Sequence, residues 1–197
     1  VAREATGTHD GGPRGEGGGG GDTGRGPGHH ACFSLRTGEA LAAPAFSPVH
    51  CWRVERKDGR IFVRERTAAA ARSGARPAPA EHFVIIGGGA AGFAAAEMLR
   101  REGFGGEVTL LSADDFVPYD RPNLSKDYLA GTAPEEWIPL RPLRFYADNG
   151  IDLRLGTEAA AIDPAQRRVE LTRGGTVAFT KLLLATGAEP IRLQWPG

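Results

Sequence analysis

The fold of the second half of this chain is decided at residues 84–99, which read VIIGGGAAGFAAAEML. An apolar run ends in three glycines and continues as an alanine-rich helix pattern. We expect Gly87 to turn the chain out of the strand, Gly89 to leave no Cβ beside a pyrophosphate, and Gly92 to let helix and strand pack closely. The N–H groups and dipole of the helix start favour a phosphate there. The stretch predicts a dinucleotide-binding unit; the alternative is a glycine-rich turn in another α/β protein.

A second strand is predicted from Glu107 to Leu111, ending at Ser112. In dinucleotide-binding units an acidic residue about 20 positions after the glycines binds the ribose. Asp114 and Asp115 lie in that window.

Two further motifs follow in order, PYDRPNLSK at 118–126 and ATG at 185–187, the latter directly after an apolar run. With the glycine motif, they resemble the FAD domain of the apoptosis-inducing-factor and oxygenase-ferredoxin-reductase branch of flavin reductases, from about Glu81 to the C-terminus. The resemblance implies an α/β fold: a Rossmann-like FAD-binding domain with a parallel sheet plus a β-meander.

The same resemblance implies site residues. Residues with expected backbone roles at the cofactor are Gly87, Gly89 and Gly92 at the pyrophosphate, Ala159 at the adenine edge, and Ala185, Thr186 and Gly187 where the chain leaves the domain.

Two side chains of the PYDRPNLSK motif carry charge. By resemblance, Arg121 pairs with the cofactor's phosphates, and Lys126 lies near the flavin ring as the catalytic residue that stabilises negative charge. In the family, the acidic residue that binds the ribose directly follows the position of Ser112. This chain has Ala113 there, so Asp114 is the expected substitute. The alternative for Arg121 and Lys126 is an ordinary solvated charged loop.

The N-terminal motifs are GTHDGGP at 7–13 and GPGHHACF at 26–33. They resemble the cluster-binding half of a Rieske ferredoxin domain, which holds a [2Fe–2S] centre with two Cys and two His. His9 and His29 occupy the histidine positions, but Gly7 and Gly26 stand at both cysteine positions. Because thiolates supply most of the binding, we expect the cluster to be lost and assign no metal ligand.

The remaining cysteines, Cys32 and Cys51, stand in no ligand position, although a cluster rebuilt on them is a further alternative. The simplest interpretation of the histidines is that they are exposed to solvent in a flexible loop. The alternative interpretation is a weak contact to a divalent metal. Eleven of the eighteen residues from Gly11 to Gly28 are Gly. Glycine loses much backbone entropy on folding, so residues 1–28 are predicted to lack stable structure and residues 31–66 to keep a small β-sheet.

Three segments are therefore expected: a degenerate Rieske-like region at 1–66, an Ala/Pro/Arg linker at 67–80, and the first segment of an FAD/NAD(P)-binding domain at 81–197. The family reductases are longer. No further Gly-x-Gly-x-x-Gly follows the one at 87–92, and the chain stops where an NAD domain would begin, so we expect a fragment with an incomplete FAD domain.

Composition excludes some partners. The formal net charge is zero, which implies no nucleic-acid or anionic-membrane partner, and no apolar run approaches the roughly 18 residues of a membrane span. Two cysteines without framework spacing favour a reducing, cytoplasmic setting.

Two functions remain open. The first is the N-terminal part of an FAD-dependent NAD(P)H oxidoreductase of ferredoxin-reductase type, in which hydride passes to the flavin and single electrons to an iron–sulfur acceptor. The alternative is a non-catalytic remnant with weak binding of the ADP or FAD moiety and no cluster. The acceptor, the choice of NADH or NADPH, and the oligomeric state are left open.

Secondary structure is predicted from the same patterns. A hairpin is expected from Cys51 to Glu65, turning at 57–59. Further strands are expected at 82–86, 107–111, 151–155, 158–163, 168–172, 176–179 and 181–185, and helices at 90–101, 126–129 and 143–149.

Overall fold

A computed structural model of the chain describes residues 2–3, 19–25, 31–42, 45, 47–67, 80–189 and 191. The chain divides into two compact units, Val1–Ala71 and Arg72–Gly197. Most of the predicted linker and the last six residues lie outside the described residues, as do Gly7, His9, Gly26 and His29.

The described elements of the first unit are all strands: β1 (Ala2–Arg3), β2 (Gly19–Gly20), β3 (Thr23–Arg25), β4 (Cys32–Ser34), β5 (Ala40–Ala42), β6 (Cys51–Lys57) and β7 (Arg60–Thr67). They form two antiparallel sheets, in the orders β2-β3-β4-β5 and β1-β6-β7. The prediction that residues 1–28 lack stable structure is wrong for 19–25, because backbone pairing of β3 with β2 and β4 needs no side chains.

The predicted hairpin is confirmed. Asp58 and Gly59 form its two-residue loop, with φ of 51° and 72°. Positive φ at both positions is typical of a type I′ turn, whose twist matches the flanking strands.

The second unit contains both helices and strands, in the order β8 (His82–Ile86), α1 (Ala90–Arg101), β9 (Glu107–Leu111), α2 (Arg121–Leu124), a 3₁₀ helix (Glu135–Trp137), α3 (Leu143–Asp148), β10 (Ile151–Arg154), β11 (Ala159–Asp163), β12 (Arg168–Leu171), β13 (Thr176–Ala178) and β14 (Lys181–Leu184). This confirms the predicted α/β class with a parallel sheet and a β-meander. The helix predicted at 126–129 is wrong, since α2 lies before it and residues 125–131 form turns.

A parallel sheet with strand order β10-β9-β8-β14 forms the centre of this unit. The chain continues from β8 towards β10 on one side and returns as β14 on the other. The glycine-rich loop leaves the carboxyl end of β8, which is where the strand order reverses direction. Open α/β sheets bind ligands at such a switch point.

The two faces of the sheet are covered differently. A Cβ on Gly92 of α1 would lie 3.3 Å from Ile85, so Ile85 faces the helix. Strand side chains alternate between faces, and Val84 and Ile86 share a buried cluster with Val169 and Val177 of the antiparallel β11-β12-β13 sheet. The parallel sheet therefore lies between a helix layer and a meander layer.

Candidate functional site

Gly87 begins the glycine-rich loop in a conformation that favours glycine. Its φ is 117°, and a Cβ there would overlap the carbonyl oxygen of Ala185. The N–H of Gly87 donates to the carbonyl of Leu111 and the N–H of Ala185 donates to that of Ile86, each at 2.8 Å. The loop therefore begins between the ends of β9 and β14.

Two more glycines are required by close packing. A Cβ on Gly92 would overlap the carbonyl oxygen of Gly87, and a Cβ on Gly88 would overlap the hydroxyl of Ser112. Gly92 therefore brings α1 onto the strand. The role of Gly88 was missed, although a run of three glycines where the motif requires two was a signal for it.

Gly89 differs from its neighbours because open space surrounds it. Its φ is −79°, and a Cβ there would meet no described atom within 4 Å. In the described part of the chain, no side chain caps the start of α1 and no acidic side chain lies in its first turn. An open cradle beside uncapped helix N–H groups fits a phosphate.

Asp114 and Arg121 form an ion pair. Nη2 of Arg121 donates to Oδ2 of Asp114 at 2.8 Å, and its guanidinium carbon lies 5.5 Å from the ring centre of Tyr119. The N–H of Gly156 donates to the carbonyl of Asp114 at 2.9 Å, which fixes that backbone. Two predicted ligand side chains are thus brought together and remain exposed to solvent.

The other predicted site residues are more dispersed. Ala159 packs against the buried cluster of the sheet and begins β11 with a bulge. Thr186 and Gly187 are exposed, and Gly187 has a φ of 77°. Lys126 is exposed in the turns after α2, and its amine makes no ion pair with any residue of the described ranges.

A buried polar network links α1 to the chain before α3. Nη2 of Arg141 donates to Oε1 of Glu97 at 3.0 Å, where the Glu97 side chain is only 9% exposed. Tyr146 packs edge-on against Phe93, and its hydroxyl is buried with no partner among the described residues. Burial raises the pKa of Tyr146. Sequence reasoning missed this network, although Glu97 lies on the buried stripe with Phe93.

A polar cavity of about 480 Å³ lies at the opposite, amino-terminal edge of the sheet. The Thr109 hydroxyl bonds to Nε2 of His82 at 2.8 Å and to Asp152 at 3.3 Å, and Arg154 donates to Asp152 at 2.8 Å. These side chains bond to one another, whereas Nε of Arg100, which also lines the cavity, is buried with no partner among the described residues.

The described residues include neither a metal-binding cluster nor a membrane-spanning helix. They hold no cluster of three or more His, Cys, Asp or Glu side chains that could bind a metal. No described helix has the length and apolar character needed to cross a membrane.

The glycine-rich loop, the ATG segment and the strands between them match one family model, pyridine nucleotide-disulphide oxidoreductase, over residues 81–197. This chain belongs to the pyridine nucleotide-disulphide oxidoreductase family. The match begins at the residue before β8 and includes every element of the second unit.

Relatives of this chain include human apoptosis-inducing factor 3, which is 33% identical over 183 residues, or 87% of this chain and 30% of the relative. Rubredoxin-NAD(+) reductase of Pseudomonas putida is 43% identical over 115 residues, or 58% of this chain and 30% of the relative. The chain therefore spans less than a third of the length of either relative.

Solved structures of similar fold are ferredoxin reductases. The covalent putidaredoxin reductase–putidaredoxin complex matches with a TM-score of 0.57 and 38% identity, over 58% of this chain and 27% of that one. A ferredoxin reductase from Rhodopseudomonas palustris matches with a TM-score of 0.55 and 34% identity, over 59% and 28%. The Rossmann-like fold is thereby confirmed, as an incomplete version of the longer chains.

Proposed function

We propose that the unit Arg72–Gly197 binds FAD, chiefly through the ADP half of the cofactor. The observation that carries this proposal is the open space at Gly89 beside an uncapped helix start. A diphosphate placed there would accept hydrogen bonds from backbone N–H groups and gain from the helix dipole.

The side chains around this cradle have complementary roles. Asp114 would accept a hydrogen bond from a ribose hydroxyl, and Arg121 would contact the phosphates after leaving Asp114. The backbone of Ala159 would border the adenine, while the segment from Ala185 to Gly187 would line the cofactor. The positive charge of Lys126 would stabilise negative charge on the reduced cofactor, and the absence of an ion pair with any described residue supports that role.

The activity proposed for the complete protein is electron transfer of ferredoxin-reductase type. When bound, a flavin would accept a hydride from NAD(P)H and release electrons one at a time. An iron–sulfur protein is the proposed acceptor, which is supported by the putidaredoxin bound to the similar reductase. This chain contributes the binding and orientation of the nucleotide.

For the N-terminal segment we propose a Rieske-like region, residues 1–66, that has lost its [2Fe–2S] cluster, joined by a linker at 67–80 to the FAD segment at 81–197. The absence of both thiolates at Gly7 and Gly26 supports the loss. Cys32 and Cys51 are free thiols, which suits the reducing, cytoplasmic setting that we propose.

Titration calorimetry of the full chain with FAD, ADP and riboflavin tests the site. We expect ADP to bind nearly as tightly as FAD and riboflavin not to bind, because most of the proposed contacts would be made to the ADP half. Tight FAD binding without ADP affinity would contradict the proposed division. Binding of neither nucleotide would remove the proposed function.

A further inference from the structure

The ion pair between Arg141 and Glu97 joins two elements that are far apart in sequence. Glu97 lies in the middle of α1 and Arg141 directly before α3. Their side chains are 9% and 22% exposed, and the atoms lie 3.0 Å apart. A carboxylate buried to this degree is costly without a partner, so the pair holds its two elements together.

The guanidinium of Arg141 is fixed by more than this ion pair. Its central carbon lies 5.7 Å from the ring centre of Phe93 and 5.4 Å from that of Phe145. Its Nη1 donates to the carbonyl of Leu140 at 3.0 Å. Such cation–π contacts and the planar donor geometry are specific to arginine, and lysine reproduces them poorly.

Arg141 follows a short antiparallel ribbon that closes the loop of residues 120–138. The N–H of Asp120 donates to the carbonyl of Ile138, and the N–H of Leu140 donates to that of Pro118, each at 2.9 Å. One strand of this ribbon continues directly into Arg121, and the other continues into Arg141. The base of the 120–138 loop is therefore tied to α1 through one side chain.

We propose that Arg141 is a positioning residue that sets the 120–138 loop, and with it Arg121, relative to the phosphate cradle at the start of α1. The loop and the cradle belong to different parts of the chain, and the pair of Arg141 and Glu97 is a buried polar link between them. The expected effect on nucleotide binding rests on the proposed function, whereas the expected effect on the position of the loop does not.

Hydrogen–deuterium exchange of the full chain without ligand tests the loop directly. In Arg141→Met we expect exchange within residues 119–140 to rise at least tenfold while β8 and β9 keep their protection. Arg141→Lys should restore part of this protection. Arg144→Met, an exposed change on α3, is the matched control and should leave exchange unchanged.

The affinity for ADP tests whether Arg141, by setting the loop, also affects nucleotide binding. We expect ADP affinity to fall about tenfold in Arg141→Met and to be partly restored in Arg141→Lys. Glu97→Gln keeps the shape of the side chain and is the second variant, to be used if Arg141→Met does not fold. We expect it to raise hydrogen exchange in the loop about threefold. Equal increases in β8, β9 and the loop, or no increase in the loop, would overturn the proposal. If the wild type binds no ADP, the proposed function fails while the exchange comparison still decides the role of Arg141.

Discussion

Arg121 and Asp114 form an ion pair of 2.8 Å in which the two side chains are 62% and 41% exposed. Water screens such a pair, so its contribution to stability is small, about 0–1 kcal/mol. The same exposure leaves both groups accessible to a ligand. The pair holds two predicted nucleotide contacts side by side, and under the proposed function a phosphate would draw Arg121 away from Asp114.

Replacing Arg121 by Gln should therefore affect binding more than folding. We expect the free energy of unfolding to change by less than about 1 kcal/mol and the Kd for ADP to rise on the order of tenfold, the usual effect of one charge-assisted hydrogen bond. Urea unfolding and titration calorimetry give the two values. Arg144→Gln is the control with the same loss of charge, and unchanged ADP affinity in Arg121→Gln would contradict the assigned contact.

Two glycines of one motif provide a second test. A Cβ on Gly89 meets open space, whereas a Cβ on Gly92 overlaps a backbone carbonyl. Gly89→Ala should keep the stability of the wild type and weaken ADP binding through the methyl group placed in ligand space. Gly92→Ala should lower the free energy of unfolding by about 1–3 kcal/mol through overpacking. Thermal unfolding and ADP titration separate the two, and a destabilised Gly89→Ala would contradict the open cradle.

The hydroxyl of Tyr146 is buried without a partner among the described residues. Removing an unsatisfied group in Tyr146→Phe should stabilise the unit by about 1 kcal/mol, measured by urea unfolding near pH 7. A destabilised variant would show that the hydroxyl has a partner.

The same tyrosine predicts a loss of stability at high pH. Burial raises the pKa of Tyr146, so above its unfolded pKa of about 10 the unfolded chain ionises while the folded residue stays neutral. Stability is then fully present below about pH 10 and falls as pH rises, by up to about 1.4 kcal/mol per pH unit for this group. Tyr146→Phe should show a smaller decline in unfolding experiments between about pH 9 and 11.

The N-terminal motifs predict that the chain binds no [2Fe–2S] cluster. Anaerobic reconstitution with iron and sulfide should leave the visible spectrum unchanged, because Gly7 and Gly26 supply no thiolate. A Rieske-type electron paramagnetic resonance signal from a reduced sample would refute this. The double variant Gly7→Cys, Gly26→Cys tests whether thiolates alone restore binding.

The βαβ unit could be predicted from sequence because its local signals agree. The bounds of β8, α1 and β9 match the prediction, since an apolar run, a glycine turn and a helical alanine pattern all indicate the same elements. The short helix was misplaced because Pro122 was interpreted as part of a loop. Proline is favourable in the first turn of a helix, and α2 begins at Arg121.

Other features could not be predicted because they depend on distant partners. Strands β2 and β3 are rich in glycine and have no side-chain periodicity, so only backbone pairing defines them. The Arg141–Glu97 pair joins residues 44 positions apart, and no local pattern identifies such a contact. Asp114 and Asp115 are neighbours in sequence, and only the structure shows which carboxylate meets Arg121.

The pairing of β14 with β8 determines when the glycine-rich loop can be completed. The hydrogen bonds between His82 and Thr180 close a span of 98 residues, whereas β8 and β9 are joined by a single helix. Contacts of long sequence separation are slow to form because loop closure costs entropy before pairing stabilises it. During synthesis on the ribosome, Gly87 can therefore bond to Leu111 long before Ala185 exists to brace its other side. The glycine-rich loop is consequently braced on both sides only after β14 has docked, and under the proposed function nucleotide binding would follow that docking.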